Sequence, residues 1–443
     1  MKNAREVAFE VLTGVFKDEA YSNLALDKAI KENNLSPQDS SFCTALVYGV
    51  LERCITLDYI IRKLSSVPFR KIETSTLIIL RMGIYQILYM DRVPDSAAVN
   101  ECVKLAKERK LFKSSGFING LLRSYLRAEK EYPLPLESDK NRRWSVVYSC
   151  PEYLVKLWRD SYGDEITEDI LKSLSGRPPL CIHTNTLLVT PEKLMENLAA
   201  EGVSAEKSAV LDDLLTITHS GAVDKLSSFR RGEFFVQDES SAICAMLTGV
   251  KSGDTVFDVC SAPGGKAFAM AMIMKGEGSL RAFDIHLHKM KLIESGAYRL
   301  KIKNLKASVR DAAKDKDFDE KADVVLCDVP CSGFGIIRRK PEIRYRKEQN
   351  FTELPPLQYE ILSNSARLVK DGGTLIYSTC TLNPEENGKV CEKFLVNHPE
   401  FKAKSVTLPK GIERRAEEPS NMLTMFPQEH GGDGFFVATF ERS

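Results

Sequence analysis

Over the first 130 residues apolar side chains recur at helical spacing, and no strand-like alternation is evident. Ala4, Val7, Ala8, Val11, Leu12 and Val15 form one stripe that predicts a buried helix face. Ser36-Pro37-Gln38-Asp39 carries a helix start, with Ser as N-cap, Pro at the first helical position and an acid at the third. The helix it opens is predicted to run through Leu46 and Leu51. Thr76 to Met90 is nearly all apolar and reads as the central helix of a bundle. Val93-Pro94-Asp95-Ser96 breaks the chain before another helix ending near Lys110, and Phe117 to Lys130 supplies the last. The pattern predicts an all-helical domain of about five to seven helices over residues 1–135.

Tyr132-Pro133-Leu134-Pro135 and the polar residues after it read as a linker. Beyond it the rhythm is mixed. Cys150-Pro151 opens a helix through Leu154 and Trp158, Leu180 to Thr186 alternates as a strand, Thr190-Pro191 starts another helix, and Leu214 to Thr218 is a second strand. Residues 145–235 are therefore expected to form a small α+β module. From residue 236 onward strand, turn and helix follow one another. Thr255–Val259, Ser279–Ile285, Lys306–Val309, Ala322–Cys327 and Thr374–Ser378 read as strands, with helices at 265–275, 286–300 and 355–370. Short apolar strands separated by helices imply an α/β domain over 236–443, built on a mostly parallel sheet covered on both faces.

A chain of 443 residues is long enough for two or three such cores. Its 43% hydrophobic and 28% charged residues exclude disorder throughout. No run reaches the length of a membrane span, and the N-terminus lacks the apolar segment of a signal peptide, so a cytoplasmic protein with no membrane partner is expected. Sixty-two basic against sixty-one acidic residues exclude a histone-like chain, yet Ile336 to Asn350 carries six basic residues against two acidic. The eleven cysteines include no CxxC pair and the six histidines show no ligand spacing, so neither a disulfide framework nor a metal site is expected. Cys43, Cys54, Cys102, Cys181, Cys244 and Cys391 lie in apolar runs and read as small buried hydrophobes.

Cys260, Cys331 and Cys380 need another account. Asp258 and Val259 lead into Cys260-Ser261-Ala262-Pro263-Gly264-Gly265-Lys266, between the first strand and a helix. The two glycines permit a sharp turn and close approach to a ligand, and the helix start leaves free N–H groups. The loop is neither GxGxxG nor a Walker loop. Asp284 ends the second strand, 26 residues after Asp258, where an acid can accept from ribose hydroxyls; Asp311 follows the third strand and Asp328 the fourth. Acids at consecutive carboxyl ends of parallel strands line the crevice where such sheets bind nucleosides. Cys331 and Cys380 follow two strands of the same sheet. A soft thiolate at that edge could attack an electron-poor ring carbon. Cytosine is such a ring: thiolate addition at C6 makes C5 nucleophilic, and Asp328, protonated or sharing a proton, could offset charge at N3. The spacing alone does not rank the two thiols. Arg338, Arg339, Lys340, Arg344 and Arg346 (with Lys347) could hold phosphates, and Tyr345 could stack on a base.

These motifs resemble those of the bacterial RsmB (Fmu or Sun) branch of the RNA cytosine-C5 methyltransferases. Asp258 to Lys266 is similar to the family's DACAAPGGK cofactor loop, although Ala267-Phe268-Ala269 replaces the usual Thr-Thr-His after it. Asp328 to Gly333 resembles DAPCSG, Ser378-Thr379-Cys380 the catalytic TC element, Arg338 to Tyr345 RRHPDIKW, and Asp433 to Phe436 the C-terminal DGFF. Phe117 to Arg123 is similar to the GFVNAVLR signature that ends a NusB-type domain. The resemblance implies a Rossmann-like S-adenosylmethionine-dependent domain preceded by a NusB-like RNA-binding domain. It implies Cys380 as nucleophile, Cys331 as the thiol that resolves the adduct, and S-adenosyl-L-homocysteine as product. The implied substrate is cytosine 967 of 16S rRNA, free or within an assembly intermediate, with the enzyme acting as a monomer. The same chemistry on tRNA or another rRNA cytosine, and a non-catalytic RNA-binding assembly factor, are the alternatives.

Overall fold

The computed structural model describes residues 2–18, 20–219, 221–346 and 351–443. The chain divides into two compact units, one of residues 1–176 with 337–346 and one of 177–336 with 347–443.

The first unit is helical: α1 (Ala4–Asp18), α2 (Ser22–Asn33), α3 (Pro37–Leu64), α4 (Thr74–Tyr89), α5 (Asp95–Glu108), α6 (Phe112–Arg127), α7 (Lys140–Tyr148) and α8 (Glu152–Ser173). The Ser36 hydroxyl accepts from the Asp39 N–H at 3.1 Å and so caps α3, as its sequence predicts. Ile78, Ile79, Leu80, Met82 and Ile84 are fully buried, because a helix apolar on every side must be enclosed by others. Gly49 lets α3 and α4 approach: a Cβ there would lie 1.9 Å from the Tyr85 ring. The compact units do not divide at the Pro-rich stretch near residue 135. Thr56 donates to the Val146 carbonyl at 2.6 Å and the Ile55 N–H to Ser149 Oγ at 3.1 Å, which ties α7 to α3.

The second unit holds two sheets. The smaller contains β1 (Leu180–Thr184), β2 (Ser204–Lys207), β3 (Leu214–Thr218) and β4 (Phe234–Val236), all antiparallel in the order β2-β3-β1-β4. The larger contains β5 (Thr255–Asp258), β6 (Ser279–Asp284), β7 (Leu305–Val309), β8 (Ala322–Asp328), β9 (Val369–Thr379), β10 (Phe401–Ala403), β11 (Met422–Met425) and β12 (Phe435–Arg442). Its order is β10-β12-β9-β8-β5-β6-β7, with β11 paired to β12. β5 to β9 are parallel, and β10, β11 and β12 add an antiparallel edge. Along β8, Val324 and Leu326 enter one core while Val325 and Cys327 enter the other, which is why the strand is apolar on both faces. The strand order reverses at β5, between β6 and β8. The carboxyl ends of β5 and β8 therefore flank the crevice where doubly wound sheets take ligands.

Among the described residues no helix is long and apolar enough to cross a membrane, and no three His, Cys, Asp or Glu side chains group as metal ligands.

Candidate active site

Every acid singled out by the sequence lies at or just beyond the carboxyl edge of this sheet. Asp258 ends β5, Asp284 ends β6, Asp311 lies two residues beyond β7 and Asp328 ends β8. Cys380 directly follows β9, and Cys331 lies three residues beyond β8. Of the eleven cysteines, Cys260, Cys331 and Cys380 alone are half-buried; the other eight are buried.

The loop after β5 turns at Gly264, whose φ of 109° suits glycine and whose missing side chain leaves room for the Phe268 ring. Helix 265–273 starts immediately after it. Asp258 is 1% exposed; its carboxylate oxygens, the Ser261 hydroxyl and the Gln237 amide nitrogen are buried without a well-formed hydrogen bond among the described residues, although the Ser261 hydroxyl and the Cys260 N–H lie close enough to favour the ionised carboxylate. Burial, and then the charge of Asp328, push the Asp258 carboxyl up to about 7. Buried acceptors without well-formed hydrogen bonds beside a glycine turn fit a ligand that brings positive charge and donors, as the ammonium and sulfonium of S-adenosylmethionine would. Asp284 is buried too. One of its oxygens accepts the His286 N–H at 3.0 Å, and the other lies 3.5 Å from Lys289 Nζ. Asp311 accepts the Ala313 N–H at 3.0 Å.

Lys266 ends the loop sequence and lies in the first turn of the helix that follows it. Its ammonium bonds Asp328 at 2.7 Å and lies 4.8 Å from the centre of the Phe435 ring. Burial alone would lower its pKa, but the charge of Asp328 and the hydrogen bond to it outweigh that and raise it. The other Asp328 oxygen accepts from the Ser378 hydroxyl at 2.8 Å. The sequence placed Ser378 in the motif that ends at Cys380 but not its contact with Asp328, the residue it pairs with on β8.

The Cys331 and Cys380 sulfurs lie 3.2 Å apart. The hydrogen bond to Cys380, followed by burial, pushes the Cys331 thiol well up. Burial also pushes Cys260 well up, which makes it packing for the loop rather than a nucleophile. Gly335 donates to the Cys380 carbonyl at 3.0 Å and accepts from the Gly434 N–H at 2.9 Å. A Cβ on Gly335 would stand 1.9 Å from the Gly434 oxygen, so the segment before β12 closes against Gly335.

The basic run after Cys331 belongs to the helical unit, and two of its expected RNA contacts are corrected there. Arg344 is 1% exposed: its guanidinium donates to the carbonyls of Glu52, Ser149 and Leu174 at 2.6–2.9 Å. Tyr345 donates its hydroxyl to the Leu51 carbonyl and packs 6.0 Å from the Phe16 ring. Neither side chain can hold RNA without leaving these partners. Arg338, Arg339 and Lys340 are half-buried, with Lys340 Nζ 5.7 Å from the Tyr21 ring, and Arg346 is exposed. Lys347 lies outside the described residues.

The family model for 16S rRNA methyltransferase RsmB/F matches residues 245–441, that of the NusB family residues 2–127, and a ferredoxin-like domain of RsmF/B-type methyltransferases residues 150–224. A probable ribosomal RNA small subunit methyltransferase B from Bacillus subtilis is 37% identical over 99% of both chains. The chain belongs to the RsmB/F methyltransferase family. Ribosomal RNA small subunit methyltransferase B from Pectobacterium carotovorum is 30% identical over 98% of both chains. The crystal structure of PH0851 matches with a TM-score of 0.84 at 28% identity, over 100% of this chain and 99% of that one. The fold is also that of NSun6 from Pyrococcus horikoshii, solved with SFG, at a TM-score of 0.60 and 22% identity over 66% of this chain and 98% of that one. The RsmB/F methyltransferase core thus contains the 258–266 loop, Asp328 and both half-buried thiols after β8 and β9.

Proposed function

We propose that the chain is an S-adenosylmethionine-dependent 16S rRNA (cytosine-C5) methyltransferase that modifies the cytosine numbered 967. The observation that carries this reading is a thiol pair 3.2 Å apart on the same sheet edge as a half-buried Lys266–Asp328 ion pair. A thiol pair is superfluous for methylating a nucleophilic oxygen or nitrogen. It suits a carbon that must first be activated by addition.

Asp258, Ser261 and Asp284 would hold the cofactor over the 260–266 loop, with Asp311 toward the adenine. Bound there, S-adenosylmethionine supplies an electrophilic methyl group on its sulfonium. Cys380 gives up its proton and forms the S–C6 bond, and the displaced pair moves into the ring toward N3. Asp328, held by Lys266, takes up the Cys380 proton and delivers it to N3, so that no net charge is left on the ring. C5 takes the methyl group, then loses its proton. That proton passes to solvent, the returning pair restores the C5–C6 double bond and breaks the S–C6 bond, and Cys331 hydrogen-bonds the departing Cys380 sulfur.

The helical unit and the accessible basic side chains, Arg346 first, would hold the rRNA, and the target base has to leave its stack to reach the thiols. Transfer of labelled methyl to unmodified 16S rRNA, followed by mapping, tests the reading. One modified cytosine at 967 supports it. Modification of tRNA or another rRNA site would replace the substrate, and binding without transfer would leave an assembly factor.

A further inference from the structure

Residues 383–387, immediately beyond the Cys380 loop, hold both cysteine loops at once. Glu386 is fully buried and accepts the Ser332 N–H, one residue past Cys331, at 2.9 Å. It also accepts from Gln358 Nε2 and Asn383 Nδ2, each at 2.9 Å. All three contacts are donors, as an acceptor-only carboxylate requires. Gln358 reaches the Pro330 carbonyl as well, at 2.9 Å, so the chain is gripped on both sides of Cys331. The next residue does the same for the other thiol. Asn387 accepts from the Thr379 hydroxyl at 2.6 Å and donates to the Thr381 carbonyl at 2.9 Å, one residue on either side of Cys380. A 2.7 Å bond between the Ser332 and Thr381 hydroxyls joins the two loops directly.

We propose that residues 383–387 form a bracket that sets the register of the two thiols, with Glu386 the positioning residue for Cys331 and Asn387 that for Cys380. The inference rests on the cysteine chemistry proposed above. Neither residue touches the reacting atoms. Glu386 adds a negative charge behind Cys331, which favours retention of the proton there, after the larger effects of the Cys380 hydrogen bond and burial. The remaining ionisable groups around the pair are Tyr377 on β9 and the Lys266–Asp328 ion pair. The two sulfurs are in hydrogen-bond contact, and a proton retained on Cys331 would steady the Cys380 thiolate before attack and again as it leaves C6.

The test uses the full chain and needs no RNA for its first readout. In E386Q, the pH midpoint for alkylation of Cys331 by iodoacetamide, followed by peptide mass spectrometry, should fall by about one unit. The kcat should drop about tenfold, with the KM for S-adenosylmethionine unchanged. A folded E386Q protein with an unmoved midpoint overturns the role of Glu386. T381V serves if E386Q does not fold. It removes the link between the loops, and affinity for phenylarsine oxide, which bridges paired thiols, should fall about tenfold, with C331A as the non-binding control. Unchanged arsenical affinity in T381V overturns the bracket. Failure of the covalent mechanism itself would be distinct: no RNA adduct in any variant, while the alkylation and arsenical shifts persist.

Discussion

Lys266 and Asp328 meet at 2.7 Å, although 62 residues separate them in the chain, and with their side chains only 11% and 28% exposed they bring opposite charges to the floor of the crevice. Removing one partner of such a pair leaves the other charge buried. Lys266→Met should therefore cost on the order of 3 kcal/mol of stability in urea unfolding. Methyl transfer should fall further than stability does, since Asp328 would lose the ammonium that positions it toward N3. An equal melt for wild type and variant would show that the pair is solvated.

Asp258 gives the apo protein a pH signature. An aspartate ordinarily titrates near 4, whereas the folded chain holds the Asp258 proton up to about 7. Its folded pKa is raised, so the folded state binds more protons than the unfolded state between those values. Stability should fall as pH rises from about 4 to about 7, by a few kcal/mol in order of magnitude, and level off above. Thermal melts of wild type against D258N across that range measure the difference. S-adenosylmethionine should shrink it, because the bound cation favours the ionised form. Parallel pH profiles for the two proteins would contradict this.

Arg344 and Arg346 are two residues apart and should behave oppositely. R344A strands three carbonyls that now share one guanidinium, and should destabilise the helical unit by about 3 kcal/mol or more. R346A removes an exposed charge. It should leave the melt unchanged, weaken RNA binding and lower the salt slope by about one ion. The reverse pattern would return Arg344 to the RNA surface.

The contrast also marks where the sequence stops being readable. Strands β5, β6 and β8 could be located because each is a short, largely apolar run ending in an acid, and Cys331 and Cys380 stood out because their neighbours placed them at strand ends. Ser36 announced α3 through local capping chemistry. Arg344 could not be read this way. A basic run looks solvated until Glu52, Ser149 and Leu174, 170 to 292 residues away, supply acceptors. The Lys266–Asp328 bond was hidden for the same reason. β2 is a polar edge strand with no apolar alternation, and the pairing of β12 with β9 depends on a chain reversal that neither strand encodes locally.

The central claim, covalent activation of cytosine by Cys380, is tested most directly by denaturing electrophoresis of the protein incubated with substrate RNA and S-adenosylmethionine. C331A should stop turnover and leave methylated RNA attached to the protein as a band that survives denaturation. C380A and the C331A/C380A double variant should show none. A persistent band in C380A with none in C331A would reverse the two cysteines, and turnover by C380A would contradict covalent catalysis through this residue.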